Sequence, residues 1–122
     1  MLLHAEINKG MTAHALWKER LLSAIDSGDS GYSPAIIAKD DHCEFGQWLY
    51  GPSVSEADRQ NPYYGSVRQL HADFHKATAE IMLYALAGKK GMAHKMLGTG
   101  SHYASLSGEL MRTLARWRDS GR

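Results

Sequence analysis

At 122 residues the chain is long enough to bury one hydrophobic core and too short for two. Fourteen Lys and Arg against thirteen Asp and Glu leave a formal charge of +1, which excludes a global field that would recruit nucleic acid or anionic lipid. The longest uninterrupted apolar run, Ile81 to Ala87, falls far below the ~20 residues of a membrane span. One cysteine forms no intramolecular disulfide, and the opening MLLHAEINKG lacks the basic and long apolar regions of a secretory signal. A soluble protein of the reducing cytoplasm is therefore expected.

In chain order, Ile7, Met11, His14, Trp17, Leu21 and Ile25 recur at steps of three and four, predicting one amphipathic helix that ends near DSGDSG. Residues 27–61 are rich in Gly, Ser, Pro and Asp, and are too long for a plain loop in a compact domain. Within them, Asp41 and Glu44 form a capping-box pattern that predicts a short helix running to about Tyr50 and stopping at Gly51-Pro52. Cys43 falls in its first turn, where the helix dipole favours thiolate, and Phe45, Trp48 and Leu49 face the long helices. Asn61-Pro62 opens a second long helix, carrying Val67, His71, Phe74, Ile81 and Ala85 and ending near Gly88. Met92, Met96, Thr99, Tyr103, Leu106, Leu110, Leu114 and Trp117 make a third stripe, with a kink expected near Thr99 between Gly98 and Gly100. No segment alternates as a half-buried strand would. The class is all-α: a helical bundle of three long helices plus a short Cys-bearing helix, resembling a four-helix bundle, in one domain over 1–122 with its core at about 7–114.

The histidines carry the chemistry. His71 and His75 stand four apart, so their imidazoles project from one helix face, and that face is the apolar one. His14 interrupts the apolar stripe of the first helix at another inward position. With Cys43 they make three imidazoles and one thiol directed inward from different elements, a ligand set that suits four-coordinate zinc. Thiolate ligation argues against magnesium and calcium, while copper and iron stay open. Each inward histidine taken alone is also what a hydrogen-bonded core residue looks like. His42 points about 100° away from Cys43 on a helix and is not counted as a ligand. His4, His94 and His102 read as surface or interface residues, Met92, Met96 and Met111 as core filler, and Arg112, Arg116 and Arg118 as a solvated helix end.

Enzymatic readings find little support. HADFH lacks the Glu base of H-E-x-x-H, a fourth protein ligand closes the metal shell, and no Glu-x-x-His pair of a di-iron bundle accompanies the histidines. A scaffold of helices, metal-stabilised or metal-free, that dimerises with other proteins is the alternative. Leu83, Leu86, Ala93 and Leu97 lie off the main stripes, so apolar surface is left over and a homodimer through the long helices is expected.

AHALWKERL around His14, CEFGQWLYG from Cys43 and LHADFHKA from His71 resemble the three signatures of the chemoreceptor zinc-binding (CZB) domain family, in order and at comparable spacing. The resemblance covers roughly Ile7 to Leu114. It implies a helical bundle, often dimeric, with Zn2+ on His14, Cys43, His71 and His75, attached to or serving a cytoplasmic chemoreceptor, a diguanylate cyclase or another bacterial signalling protein. It also implies a sensor of zinc or of oxidants, with no catalytic residues. The chain itself carries neither a receptor signalling hairpin nor a cyclase motif.

Overall fold

A computed structural model describes residues 2–120, so Met1, Gly121 and Arg122, the ends of the expected 1–122 domain, lie outside it. Among the described residues there are eight helices and no strand: α1 (Leu2–Ala15), α2 (Trp17–Ser27), α3 (Pro34–Ile37), α4 (Glu44–Leu49), α5 (Glu56–Gln60), α6 (Pro62–Leu86), α7 (Lys90–Leu97) and α8 (His102–Ser120). None is long and apolar enough to cross a membrane.

The spine is α6. Asn61 caps it through a bond from the Tyr63 amide, Pro62 occupies its first turn, and Gly88 at φ 77° follows its end. Its apolar stripe buries Val67, Phe74, Ile81, Met82 and Ala85, with α8, α2, α3 and α7 packed around it. The first stripe is buried as its spacing predicts, at Ile7, His14, Trp17, Leu21 and Ile25. Its single expected helix divides at Leu16, which stays right-handed, and amide bonds from Leu16 to Thr12 and from Arg20 to Leu16 carry the ladder across.

Four expectations need correction. The third stripe is two helices rather than one kinked helix, because Gly100 takes φ 82° and the Ser101 hydroxyl caps Ala104, starting α8 afresh. Ala93 and Leu97 are buried within the chain, where α7 packs on α6, α2 and α8, which leaves Leu83 (57% exposed) and half-buried Leu86 as the remaining apolar surface of that group. Met92 is not core filler but 49% exposed, whereas Met96 and Met111 pack against the core. The C-terminal arginines are also not uniformly solvated: Arg118 donates to Asn8 at 3.0 Å, and its carbonyl meets the His4 ring at 3.1 Å, tying α8 to α1.

The 27–61 segment holds three short helices that cross one side of this framework. Only α4 was expected, since α3 and α5 are too short for a periodic stripe; Ser55 caps α5 through the Asp58 amide. Arg59 fastens the turn after α4 through the carbonyls of Gly51 at 2.6 Å and Val54 at 3.3 Å, and Tyr64 bonds the Leu49 carbonyl at 2.8 Å. The end of α4 is thereby anchored to α6.

Leu110 has no exposed surface, whereas Leu83 is largely solvated. Leu110→Ala is expected to cost about 2–5 kcal/mol of unfolding free energy in urea, and Leu83→Ala less than about 0.5 kcal/mol in the monomer. Equal losses at both positions would contradict this placement of the core.

Candidate metal centre

His14 comes from the last turn of α1, His71 and His75 from the middle of α6, and Cys43 from the residue that caps α4. The three histidines are buried and Cys43 is half-buried. One donor atom from each lies within 4.8 Å of all the others. The three Nε2 atoms are 2.9, 3.0 and 3.2 Å apart, and the Cys43 Sγ stands 3.4, 3.6 and 4.0 Å from those of His71, His75 and His14. Imidazole nitrogens at ~2.0–2.1 Å and a thiolate at ~2.3 Å around a tetrahedral zinc ion define edges of about 3.3 Å between nitrogens and about 3.6 Å from nitrogen to sulfur. The four atoms trace that figure closely. His42, adjacent in sequence, is exposed and near Asp41 instead.

The outer ring atoms show why the inner ones converge. His14 Nδ1 donates to the Gly10 carbonyl at 2.6 Å, and His75 Nδ1 to the Ile37 carbonyl at 2.9 Å. Ile37 ends α3, so its carbonyl has no helical partner of its own. With their ring protons committed there, His14 and His75 face each other with Nε2 lone pairs at 3.2 Å. His71 adds a third nitrogen and at most one proton. A cation between them resolves this crowding of lone pairs, and the carbonyl bonds fix the tautomer that metal ligation needs. His71 Nδ1 is buried with no hydrogen bond, 3.7 Å from the Asp40 carboxylate, which accepts from the Tyr50 hydroxyl.

Burial sets the protonation. It lowers the pKa of His71 to about 2 and that of His14 to about 4, and lowers His75 as well, so all three rings are neutral near pH 7. Burial also pushes the Cys43 thiol up, although bonds from the Gly46 and Phe45 amides pull the other way. The expectation that the helix start favours thiolate over thiol is therefore corrected. Desolvation outweighs the amides, and ionisation calls for a cation beside the sulfur.

Cys43, not Asp41, is the cap of α4: its Sγ accepts from the Gly46 amide at 3.2 Å. The chain doubles back so tightly here that a Cβ on Gly46 would lie 1.8 Å from the Asp40 carbonyl oxygen. Gly10 is similarly required, since its Cβ would meet the Phe45 ring at 2.3 Å. Phe45 in turn presents its edge to His14 and His71, with centroids 5.6 and 5.2 Å apart, and Trp48 leans on Trp117. Gly10, Ile37, Asp40, Gly46 and Tyr50 thus support the cluster without having been legible as site residues. Their only sequence signal is proximity to a ligand.

An all-α bundle with a buried cluster of three histidines and one cysteine is the class that fold and site define. The family described as the chemoreceptor zinc-binding domain matches residues 14–82, which takes in all four donors and more than half of the chain, and the protein belongs to that family. No curated protein and no solved structure matches it.

Gly46→Ala is expected to cost roughly 1–3 kcal/mol through the clash with Asp40 and to shift the amide resonances of residues 40–47. An unchanged melting temperature with an unchanged spectrum would show that this close approach is dispensable.

Proposed function

We propose that this protein is a regulatory zinc sensor in which His14, Cys43, His71 and His75 hold one Zn2+ ion and α4 is the part that responds. The observation that carries this reading is the unequal anchorage of the four donors. Three belong to long helices with their own buried stripes, and the fourth sits at the tip of a six-residue helix. Bound zinc supplies charge that keeps the thiol ionised. With four protein donors the shell is closed, which favours a regulatory role over hydrolysis.

Two inputs reach Cys43. Scarcity of zinc empties the centre, and a peroxide oxidises the thiolate to sulfenic acid, the sulfur giving two electrons as the O–O bond breaks and hydroxide leaves. Either removes the tie between α4 and the long helices. The output is a change in residues 40–46, the approach to α4 and its first turn, read by a bacterial signalling partner of the chemoreceptor or diguanylate cyclase kind in the cytoplasm. Exposed Leu83 and Met92 supply apolar surface for a homodimer through the long helices. The domain occupies the whole of residues 1–122.

Metal analysis of protein purified without chelator is expected to give one zinc per chain, and Asp40→Ala to weaken zinc binding about 10-fold or more by removing the carboxylate beside His71. Cys43→Ala should keep its helix content, bind zinc less tightly and exchange amide hydrogens faster between Asp40 and Gly46, while Gln47 to Gly51 stay held by Tyr64 and Arg59. Loss of protection throughout would make the metal purely structural, and unchanged exchange in α4 would remove the switch.

A further inference from the structure

We propose that a cleft beside the four-donor cluster binds a small, singly charged carboxylate with a flat or branched apolar body. The cleft has a volume of about 530 Å3 and lies between α1, the start of α2, α3 and the turn leading to α4, with Cys43, His14 and His75 among the residues that line it. That volume falls within the range of small-molecule sites. Its walls are aromatic and aliphatic: Trp17, Tyr32, Ile36 and Phe45. Tyr32 and Ile36 are 42% and 46% exposed, apolar surface that the chain leaves uncovered on this side.

The charge is supplied by Arg20. Its guanidinium carbon stands 4.8 Å from the centre of the Trp17 ring and 5.2 Å from that of Tyr32, and these two rings meet edge-on at 5.0 Å. None of the ion pairs among the described residues involves Arg20. A guanidinium resting over two aromatic rings, and in no ion pair, has its N–H fork available, and that fork matches the two oxygens of a carboxylate. The remaining charges set the valence. Lys9, Arg20 and Lys39 line the cleft against Glu6 and Glu44, and Lys9 already pairs with Glu6 at 3.3 Å. One positive charge is left over, which suits a monoanion, while a second negative charge would face the two glutamates.

An occupant in this position covers the solvent side of Cys43. The cleft thus couples a small metabolite to the reactivity of the thiol without a new contact between helices.

Benzoate is a suitable probe, with benzamide as its uncharged counterpart. Titration into isotope-labelled protein, zinc-loaded and metal-free in parallel, is expected to shift the Trp17 indole and the Tyr32 and Ile36 signals saturably with benzoate. Binding of benzamide, and of benzoate to Arg20→Gln, should be weaker by about tenfold or more, the cost of a lost charge-assisted bond. Alkylation of Cys43 by iodoacetamide in the metal-free protein should slow several-fold at saturating benzoate. If Arg20→Gln fails to fold, Ile36→Glu, at an exposed position, places a negative charge in the same cleft and should abolish binding. Absence of saturable shifts at those three residues, or equal binding of benzoate and benzamide, overturns the proposal. Because the shifts are read in both metal states, failure of the zinc reading leaves this result interpretable.

Discussion

Three buried imidazoles and a half-buried thiol converging at one point are the constraint around which the other elements are arranged. Neutral rings in a core need partners for their outer nitrogens, and the chain supplies them from backbone: Gly10 one turn before His14, and Ile37 at the open end of α3. This gives a four-residue helix a purpose that its own stability does not. A helix of that length cannot persist on propensity, and α3 rests on Pro34 in its first turn, buried Ile37 and its packing on α6. The same constraint explains the tight turn at Asp40–Gly46, which brings a sulfur into contact with three nitrogens carried by other helices.

Much of this was legible in the sequence because helical periodicity is local information. The stripe from Val67 to Ala85 placed α6 and turned His71 and His75 inward, and the stripe from Ile7 to Ile25 did the same for His14, even across the break at Leu16. Cys43 was placed through motif similarity and its position at a helix start, although the cap proved to be its own sulfur rather than Asp41. What stayed hidden depends on through-space contacts with no periodic signature. Gly46 and Gly10 look like ordinary helix-weakening glycines until the Asp40 carbonyl and the Phe45 ring are seen against them. The split between α7 and α8 is hidden for a related reason. A continuous apolar stripe argues for one helix, while Gly100 at positive φ and the Ser101 cap start α8 afresh.

The aromatic residues beside the cluster act as both insulation and bearing. Phe45 lies edge-on to two of the imidazoles, and Phe74 approaches His14 with centroids 5.5 Å apart, so the donors are shielded from water on the core side. Trp48 sits on Trp117 across the top of α8 with centroids 5.8 Å apart. The cap of α4 thus meets the cluster, its Trp48 touches the C-terminal helix, and its end is held by Tyr64 of α6 and, through Gly51, by Arg59 of α5.

The spacing of the donors along the chain has a consequence in polymer terms. Cys43 is 29 residues from His14 and 28 from His71, so an ion held by all of them ties two consecutive loops of nearly equal size to one point. For a covalent cross-link, closing a loop of that length removes chain entropy from the unfolded ensemble worth roughly 3.5 kcal/mol. Such an ion would act as a reversible staple, and its removal would lengthen the leash on every residue between positions 14 and 71. Cutting the sulfur alone merges the two loops into one and leaves the outer tie in place.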